Sequence, residues 1–417
     1  MLLKDSRFWC FIFAIAATLP GIAVRLCGYE MTPPMMTLVS GGAILAASFL
    51  LLWACDASQA DIPQSLALAI VALIAVLPEY AVDMYFTWMA GKHPESDYAH
   101  YAIANMTGAN RLLIGVAWGA VVLMYWLRSH KPVVLEKERR TELFFLGLAT
   151  IYAAFVTFKG TLAWYDGIVF LGIYVWYVML ASRRPCEESD AGGPAELLMQ
   201  LPKVKRRYAT AGVFLFSAGA ILCNAEPFCE GLVATGKLLR INEFLLVQWL
   251  APIASEAPEF IVALMFAWRR QAGVALGSLI SAKLNQWTLL VGMIPGVFAI
   301  SHGSFDTPIP MGAFQMQELM LTAAQSLMAV ALLASMRLTL GGALLLFLLF
   351  IGQFVLPEIV DFYPHLFLGV NHDLVHPLFS VIYCVVAFAI YILHPRPVHR
   401  LREGLNVPRL PKTKTAE

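Results

Sequence analysis

The chain has 417 residues, of which 59% are apolar and only 14% charged, and its mean hydropathy is +0.70. A net charge of +1 leaves no electrostatic footprint for nucleic acid, and the apolar fraction excludes an ordinary soluble domain. Seven scattered cysteines (Cys10, Cys27, Cys55, Cys186, Cys223, Cys229 and Cys384) show neither zinc-ligand spacing nor an even disulfide framework. An all-α polytopic membrane protein is expected, with the lipid bilayer as its solvent.

Apolar runs of spanning length fall at 8–27, 36–56, 63–90, 98–127, 142–159, 164–182, 208–236, 243–268, 273–301, 316–336, 340–360 and 374–393, twelve in all. The first follows Lys4 and Arg7 and continues past Pro20 towards Arg25, so it reads as a retained helix rather than a signal peptide. Lys and Arg gather in alternate loops: Arg128 to Arg140, Arg183 to Arg207, Arg269 and Arg270, Arg337, and the tail from Arg396 to Lys414. The intervening loops 28–35, 302–315 and 361–373 have none; Lys92, Lys159, Lys237 and Arg240 are the exceptions. The positive-inside rule then puts both termini in the cytoplasm, in a bacterial-type plasma membrane.

Inside the third run lies Leu77-Pro78-Glu79-Tyr80, which recurs 180 positions later as Ala257-Pro258-Glu259-Phe260. At the same offset Leu66, Val82, Phe86 and Trp88 meet Leu246, Val262, Phe266 and Trp268. A carboxylate in mid-membrane costs about 2.5–3.5 kcal/mol, so its duplication argues for a shared binding site. An odd number of crossings separates the copies, which makes the repeats inverted. Two five-helix repeats are expected at 36–182 and 208–360, joined by a polar cytoplasmic linker at 183–207. One extra helix stands at each end, within 1–35 and 361–417. Inverted repeats with broken helices at the midplane are the architecture of alternating-access carriers.

Proline within a helix removes a backbone hydrogen bond and frees a carbonyl. Pro78 would free the one near Ile74, and Pro258, helped by Pro252, the one near Ala254. A cation held by Glu79 and Glu259 would satisfy such carbonyls, because hard cations prefer oxygen ligands. The bland alternative is a proline kink with a glutamate facing a water-filled crevice. Each Pro-Glu helix is followed by a small, polar segment: Ala104-Asn105-Met106-Thr107-Gly108-Ala109-Asn110, and Gly277-Ser278-Leu279-Ile280-Ser281-Ala282-Lys283 with Asn285 and Gln286. Small residues allow close helix approach, and the amide oxygens can complete a coordination shell. Asp83 lies one turn after Glu79 on the same face. Glu226 and Glu230 share that i, i+4 spacing and either line a proton or access path or pair with Lys237 and Arg240. Glu318, Gln325, Gln353 and Glu358 read as peripheral. His365, His372, Asp373 and His376 read as a solvated loop and helix cap, with a His372–His376 metal pair as the alternative.

Pro-Glu in one helix, then a Gly-Asn-x-x-Gly-Ser-Asn-like segment in the next, duplicated in inverted halves, resembles the two α-repeats of the calcium/cation antiporter superfamily. That superfamily comprises sodium/calcium exchangers and their cation/proton relatives. The resemblance covers about 60–130 and 240–300 and implies that Glu79 and Glu259 bind the transported cation, Ca2+, Na+ or H+, with no cofactor. The family's Gly-Thr-Ser ahead of Leu-Pro-Glu reads here Ile74-Ala75-Val76 and Ala254-Ser255-Glu256. Ser255 thus keeps a hydroxyl and Glu256 adds a carboxylate, while Ala109 and Ala282 replace serines. Leu113 and Gln286 occupy the family's polar position after that segment, and Lys283 stands where its second Asn would be. With sodium-holding oxygens missing, a three-sodium stoichiometry is not expected. A buried Lys283 beside Glu259, Glu256 or Asp83 would form an internal ion pair and favour proton coupling; near an interface it would snorkel instead. An intramembrane enzyme using the paired glutamates, or a transport-inactive scaffold or sensor, stands as the alternative; no hydrolase motif supports the enzyme.

Overall fold

The computed structural model describes residues 5–59, 61, 76–183, 193–362 and 372–406, without the side chains of 361, 362 and 372. Long apolar runs can satisfy their backbone in lipid only as helices or closed barrels, and here they form helices. In chain order these are α1 Ser6–Cys27, α2 Pro33–Ser58, α3 Leu77–Lys92 and α4 Tyr98–Ser129, then α5 Arg140–Lys159 and α6 Trp164–Ala181. The second half holds α7 Lys203–Leu239, α8 Glu243–Trp268, α9 Ala272–His302, α10 Ala313–Leu333, α11 Leu340–Phe362 and α12 His372–Leu393.

Among the described residues, eleven helices are long and apolar enough to span a membrane. The twelfth expected span, 63–90, is described only in its 16-residue part α3. Local chemistry fixes the ends. Asp5 and Asn242 accept from the backbone N–H of Arg7 and Phe244 at 3.0 and 2.9 Å, capping α1 and α8. Gly28, Gly160 and Gly303 take φ of 66°, 79° and 78° just past α1, α5 and α9, where the left-handed conformation suits glycine.

The two halves exchange contacts. Helix α4 contains a π-helical turn at Leu113–Trp118 and α9 another at Gln286–Leu290. Each begins three residues after the matched position, Asn110 in one repeat and Lys283 in the other. Helix α6 of the first half packs on the π turn of α9, and α11 of the second half packs on that of α4. Helices α2 and α7 pack on each other, as do α5 and α10, and α1 lies against α2 and α7. Two short pairings tie the halves at opposite faces. On the basic face, β1 (Val133–Val134) runs antiparallel to β2 (Arg337–Leu338). On the other face, Leu162 bridges Ile309.

Arg7 reaches Glu196, Asp61 is clamped by Arg206 at 2.6 Å, and Arg140 meets Glu403 while Thr141 donates to the Gly404 carbonyl at 2.6 Å. The described ends of the chain therefore lie on the face of the basic loops. The Arg206 guanidinium, with Arg207 beyond it, holds the Asp61 carboxyl below the usual carboxylate range.

Two expectations about the Pro-Glu helices need adjusting. Helix α8 is continuous through Pro252 and Pro258 rather than broken. Helix α3, in contrast, has Val76 as its N-cap and places Pro78 in the first turn, where a missing N–H is tolerated. The carbonyl near Ile74 lies outside the described residues. Pro252 frees the Gln248 carbonyl, and Gly108 of α4 is the residue that lets it in: a Cβ there would sit 1.9 Å from the Gln248 oxygen. Gly108→Ala should therefore destabilise the protein by about 1–3 kcal/mol through overpacking. Gly42→Ala, at a position with nothing within 4 Å, should be neutral or stabilising. Thermal unfolding of the two variants in detergent checks the contrast; equal midpoints would remove the packing argument.

Candidate functional site

Four elements deliver the carboxylates and amides singled out by the duplication. Glu79 and Asp83 come from the first turns of α3, Asn105 and Asn110 from α4, Ser255, Glu256 and Glu259 from α8, and Lys283, Asn285 and Gln286 from α9. Glu79 is 2% exposed, and neither of its carboxylate oxygens has a hydrogen-bond partner among the described residues. It lies in the electrostatic field of Glu256, then Asp83, then Glu259. Of the two glutamates on α8, Glu256 thus acts on Glu79 the more strongly, while Glu259 is only half-buried.

The other polar groups are partly satisfied and partly left open towards this cluster. Asp83 is fully buried and accepts from Asn105 Nδ2 at 2.7 Å through Oδ1. Its Oδ2 and the Asn105 Oδ1 remain without a partner. Glu256 accepts from Gln286 Nε2 at 2.9 Å, and the Gln286 Oε1 is again free. Buried polar atoms nearly always find partners, so these unclaimed oxygens of Glu79, Asp83, Asn105 and Gln286 mark the cluster as the candidate site. Among the described residues no three His, Cys, Asp or Glu side chains converge closely enough to hold a metal together. Amide and carbonyl oxygens would therefore have to share in any coordination shell.

Ser255 turns its hydroxyl to the carbonyls of Ala251 and Pro252 at 3.2 and 3.3 Å within α8, and Asn285 is buried on α9. Lys283 does not snorkel: it is fully buried. Its ammonium donates to Asn110 Oδ1 at 2.6 Å and to the Asn110 carbonyl at 3.3 Å, and lies 4.4 Å from the Trp287 ring centroid. Glu256 and Glu79 are within its electrostatic range. The lysine thus joins the two repeats through Asn110 instead of closing a direct ion pair with a carboxylate.

The flanking glutamates pair otherwise than with Lys237 or Arg240. Glu226 takes Arg25 of α1 at 2.5 Å, and Glu230 accepts from the hydroxyls of Tyr85 and Tyr98, both at 2.6 Å. Glu318 is not peripheral but fully buried, paired with Arg111 and accepting from Gln248 Nε2 at 2.5 Å. Arg111 is the residue the sequence reading passed over. It directly follows Asn110, and its position inside the polar segment was the available signal. His365 and the His372 side chain lie outside the described residues, so a His372–His376 metal pair has no geometry here; His376 itself contacts Glu318.

Comparison with known proteins places this geometry. A family model described as sodium/calcium exchanger protein matches residues 33–183 and 209–357, well over half of the chain. The crystal structure of an H+/Ca2+ exchanger, CAX, is similar with 40% sequence identity and a TM-score of 0.89, over 96% of this chain and 98% of that one. The sodium-calcium exchanger NCX_Mj shares the fold at 17% identity and a TM-score of 0.51, over 78% of this chain and 97% of that one. YfkE does so at 13% identity and 0.57, over 90% and 99%. An uncharacterised membrane protein of Methanocaldococcus jannaschii is 22% identical over 219 residues, 52% of this chain and 64% of that relative's length.

The buried ammonium yields a stability contrast. Lys283→Met removes the charge together with its need for partners, and should leave stability within about 1 kcal/mol. Asn110→Leu leaves the ammonium on a single carbonyl and should cost about 3 kcal/mol. Thermal unfolding of both variants in detergent tests this, and the reverse order would show that Lys283 is not held by Asn110.

Proposed function

Because the chain belongs to the sodium/calcium exchanger protein family, we propose that it is a secondary antiporter exchanging Ca2+ against protons by alternating access. The family is one of exchangers, which sets the enzyme alternative aside. The observation that carries the reading is the buried Glu79 carboxylate without a protein donor, among further unclaimed oxygens of Asp83, Asn105 and Gln286. The similar H+/Ca2+ exchanger, at 40% identity, supplies the ion pair for this proposal.

In this reading Glu79, Glu256, Glu259 and Asp83 carry the negative charge that attracts Ca2+ or is neutralised by protons. Asn105, Asn285, Gln286 and the carbonyl freed at Ala254 complete the oxygen shell, while Lys283 contributes a tethered positive charge in place of a bound sodium. A cluster with its carboxylates bare is costly to occlude in low dielectric, whereas a neutralised one is not. Ca2+ and protons compete for the same oxygens, so the site crosses loaded with one or the other, which couples the fluxes. The unequal states of the two Pro-Glu copies, one at a helix start and one inside a continuous helix, support alternating access: inverted repeats must differ in any one facing state. Glu226 and Glu230 line the access path on α7, and the basic face is placed in the cytoplasm. Sodium as counter-ion is disfavoured by Leu113, Ala109, Ala282 and Lys283, each replacing an oxygen donor of the family pattern.

The test is Ca2+ uptake into proteoliposomes with an acidic lumen. Uptake should require the proton gradient and fall to the level of empty vesicles in Glu79→Gln and Glu259→Gln. Uptake driven only by an opposing sodium gradient would replace protons by sodium as counter-ion. A fully active double glutamine variant would sink the site assignment, and absence of flux for any cation would favour a scaffold or sensor.

A further inference from the structure

A second buried polar centre lies apart from the Pro-Glu cluster. Glu318 of α10 is completely buried and ties three other helices. Arg111 of α4 pairs with its Oε2, Gln248 of α8 donates to the same oxygen, and Nδ1 of His376 on α12 lies 2.9 Å from Oε1. Arg111 is also buried, with its guanidinium 5.4 Å from the Trp249 ring centroid, and the His376 ring stands 5.6 Å from that of Phe314. A pocket of about 60 Å³ opens onto this group. Asn242 and Phe314, at the starts of α8 and α10, line it together with Arg111, Gln248, Gln353 and His376. These two helix starts belong to the face opposite the basic loops.

Two features distinguish this pocket from ordinary packing. Gln353 is 1% exposed, yet neither its amide nitrogen nor its amide oxygen has a partner among the described residues. A buried amide on a pocket wall calls for a solvent or ion partner. In addition, Glu318 already has Arg111 to balance its charge, so the imidazole is a further, titratable contact that balance does not require. Histidine is the side chain whose ordinary titration falls near neutral pH.

We propose that Glu318 and His376 form a second proton-binding centre, filled through this pocket from the face opposite the basic loops. The proton sits on His376, whose Nδ1 lies 2.9 Å from Glu318 Oε1, an oxygen that accepts no hydrogen bond from the described residues. Among the described residues, the titratable and charged groups near it are Glu318 on α10, Arg111 on α4 with the Tyr383 hydroxyl in its range, Glu358 at the pocket on α11, and Asp373 on its own helix. With His376 neutral the Arg111–Glu318 pair is balanced; with His376 protonated the centre carries a net positive charge. Arg111 lies within electrostatic range of Lys283, and the proposed link from this centre to the cation cluster runs through that pair. Acidification on that face should then weaken Ca2+ loading from it. This last effect rests on the proton-coupled reading above; the proton site itself does not.

The test joins a direct titration to a flux measurement on the full chain in lipid. The protein has nine histidines, and the 15N signal lost in His376→Gln identifies this one. Reversible protonation, read from that signal, is expected on acidification. A signal that stays neutral throughout overturns the site, whatever the transport result. In proteoliposomes, Ca2+ uptake through the pocket face should fall several-fold from pH 8 to 6 in the wild type, and this dependence should flatten in His376→Gln with uptake at pH 8 retained. A titrating His376 with an unchanged flux profile overturns its link to exchange. Wild-type uptake indifferent to any proton gradient counts against the antiport reading alone, and the titration still decides the site.

Discussion

A carboxylate in the interior of a membrane protein must be neutralised, and this constraint organises the whole molecule. Glu79 and Asp83 are buried, and the protein gives the carboxylates of Glu79, Asp83 and Glu256 few donors. In the proposed antiport, neutralisation comes from an ion that arrives and leaves. The rest of the site follows. The amides of Asn105 and Gln286 each give one hydrogen bond to a carboxylate and keep an oxygen uncommitted. The ammonium of Lys283 is placed close enough to reduce the negative field without quenching it, because its hydrogen bonds go to Asn110. The π turns in α4 and α9 begin just beyond these residues, at matched positions of the two halves, and such turns often mark functional sites.

The two buried polar centres show opposite solutions to the same electrostatic problem. Around Glu318 the protein provides its own counter-charge, Arg111, and adds Gln248. The second oxygen of Glu318, Oε1, lies 2.9 Å from His376 Nδ1. Around Glu79 the counter-charge is deliberately incomplete. Arg111 and Asn110 are neighbours on α4, so a single turn of helix serves both centres.

Duplication makes the candidate site legible in the sequence. Glu79, Asp83, Asn105, Asn110, Glu256, Glu259 and Lys283 were all named from the two matched segments, and the membrane class from composition alone. Depth was not legible: a lysine near a helix end and a lysine in a core have the same letter, and only packing against Asn110 and Trp287 decides between them. Contacts outside the repeat symmetry were also hidden. Arg111 has Leu284 as its counterpart and meets a glutamate 207 residues away, so neither periodicity nor duplication could pair them. The continuity of α8 through two prolines escaped for a local reason. Gly108 on a distant segment accommodates the carbonyl that Pro252 frees, and a proline rule sees only its own helix.

The short pairings at the two faces carry a consequence for how the membrane voltage acts. β1 with β2, and Leu162 with Ile309, join the loops of α4 to α6 to those of α9 to α11, leaving α1, α2 and α7 outside both ties. Under the alternating access proposed above, these ties resist gaping at either face, and access would change by sliding of the untied helices α1, α2 and α7. The carboxylates would then stay at one depth while the seal moves from one side of them to the other. Voltage dependence in that arrangement arises from ions crossing the field in whichever access path is open, not from displacement of the binding groups themselves.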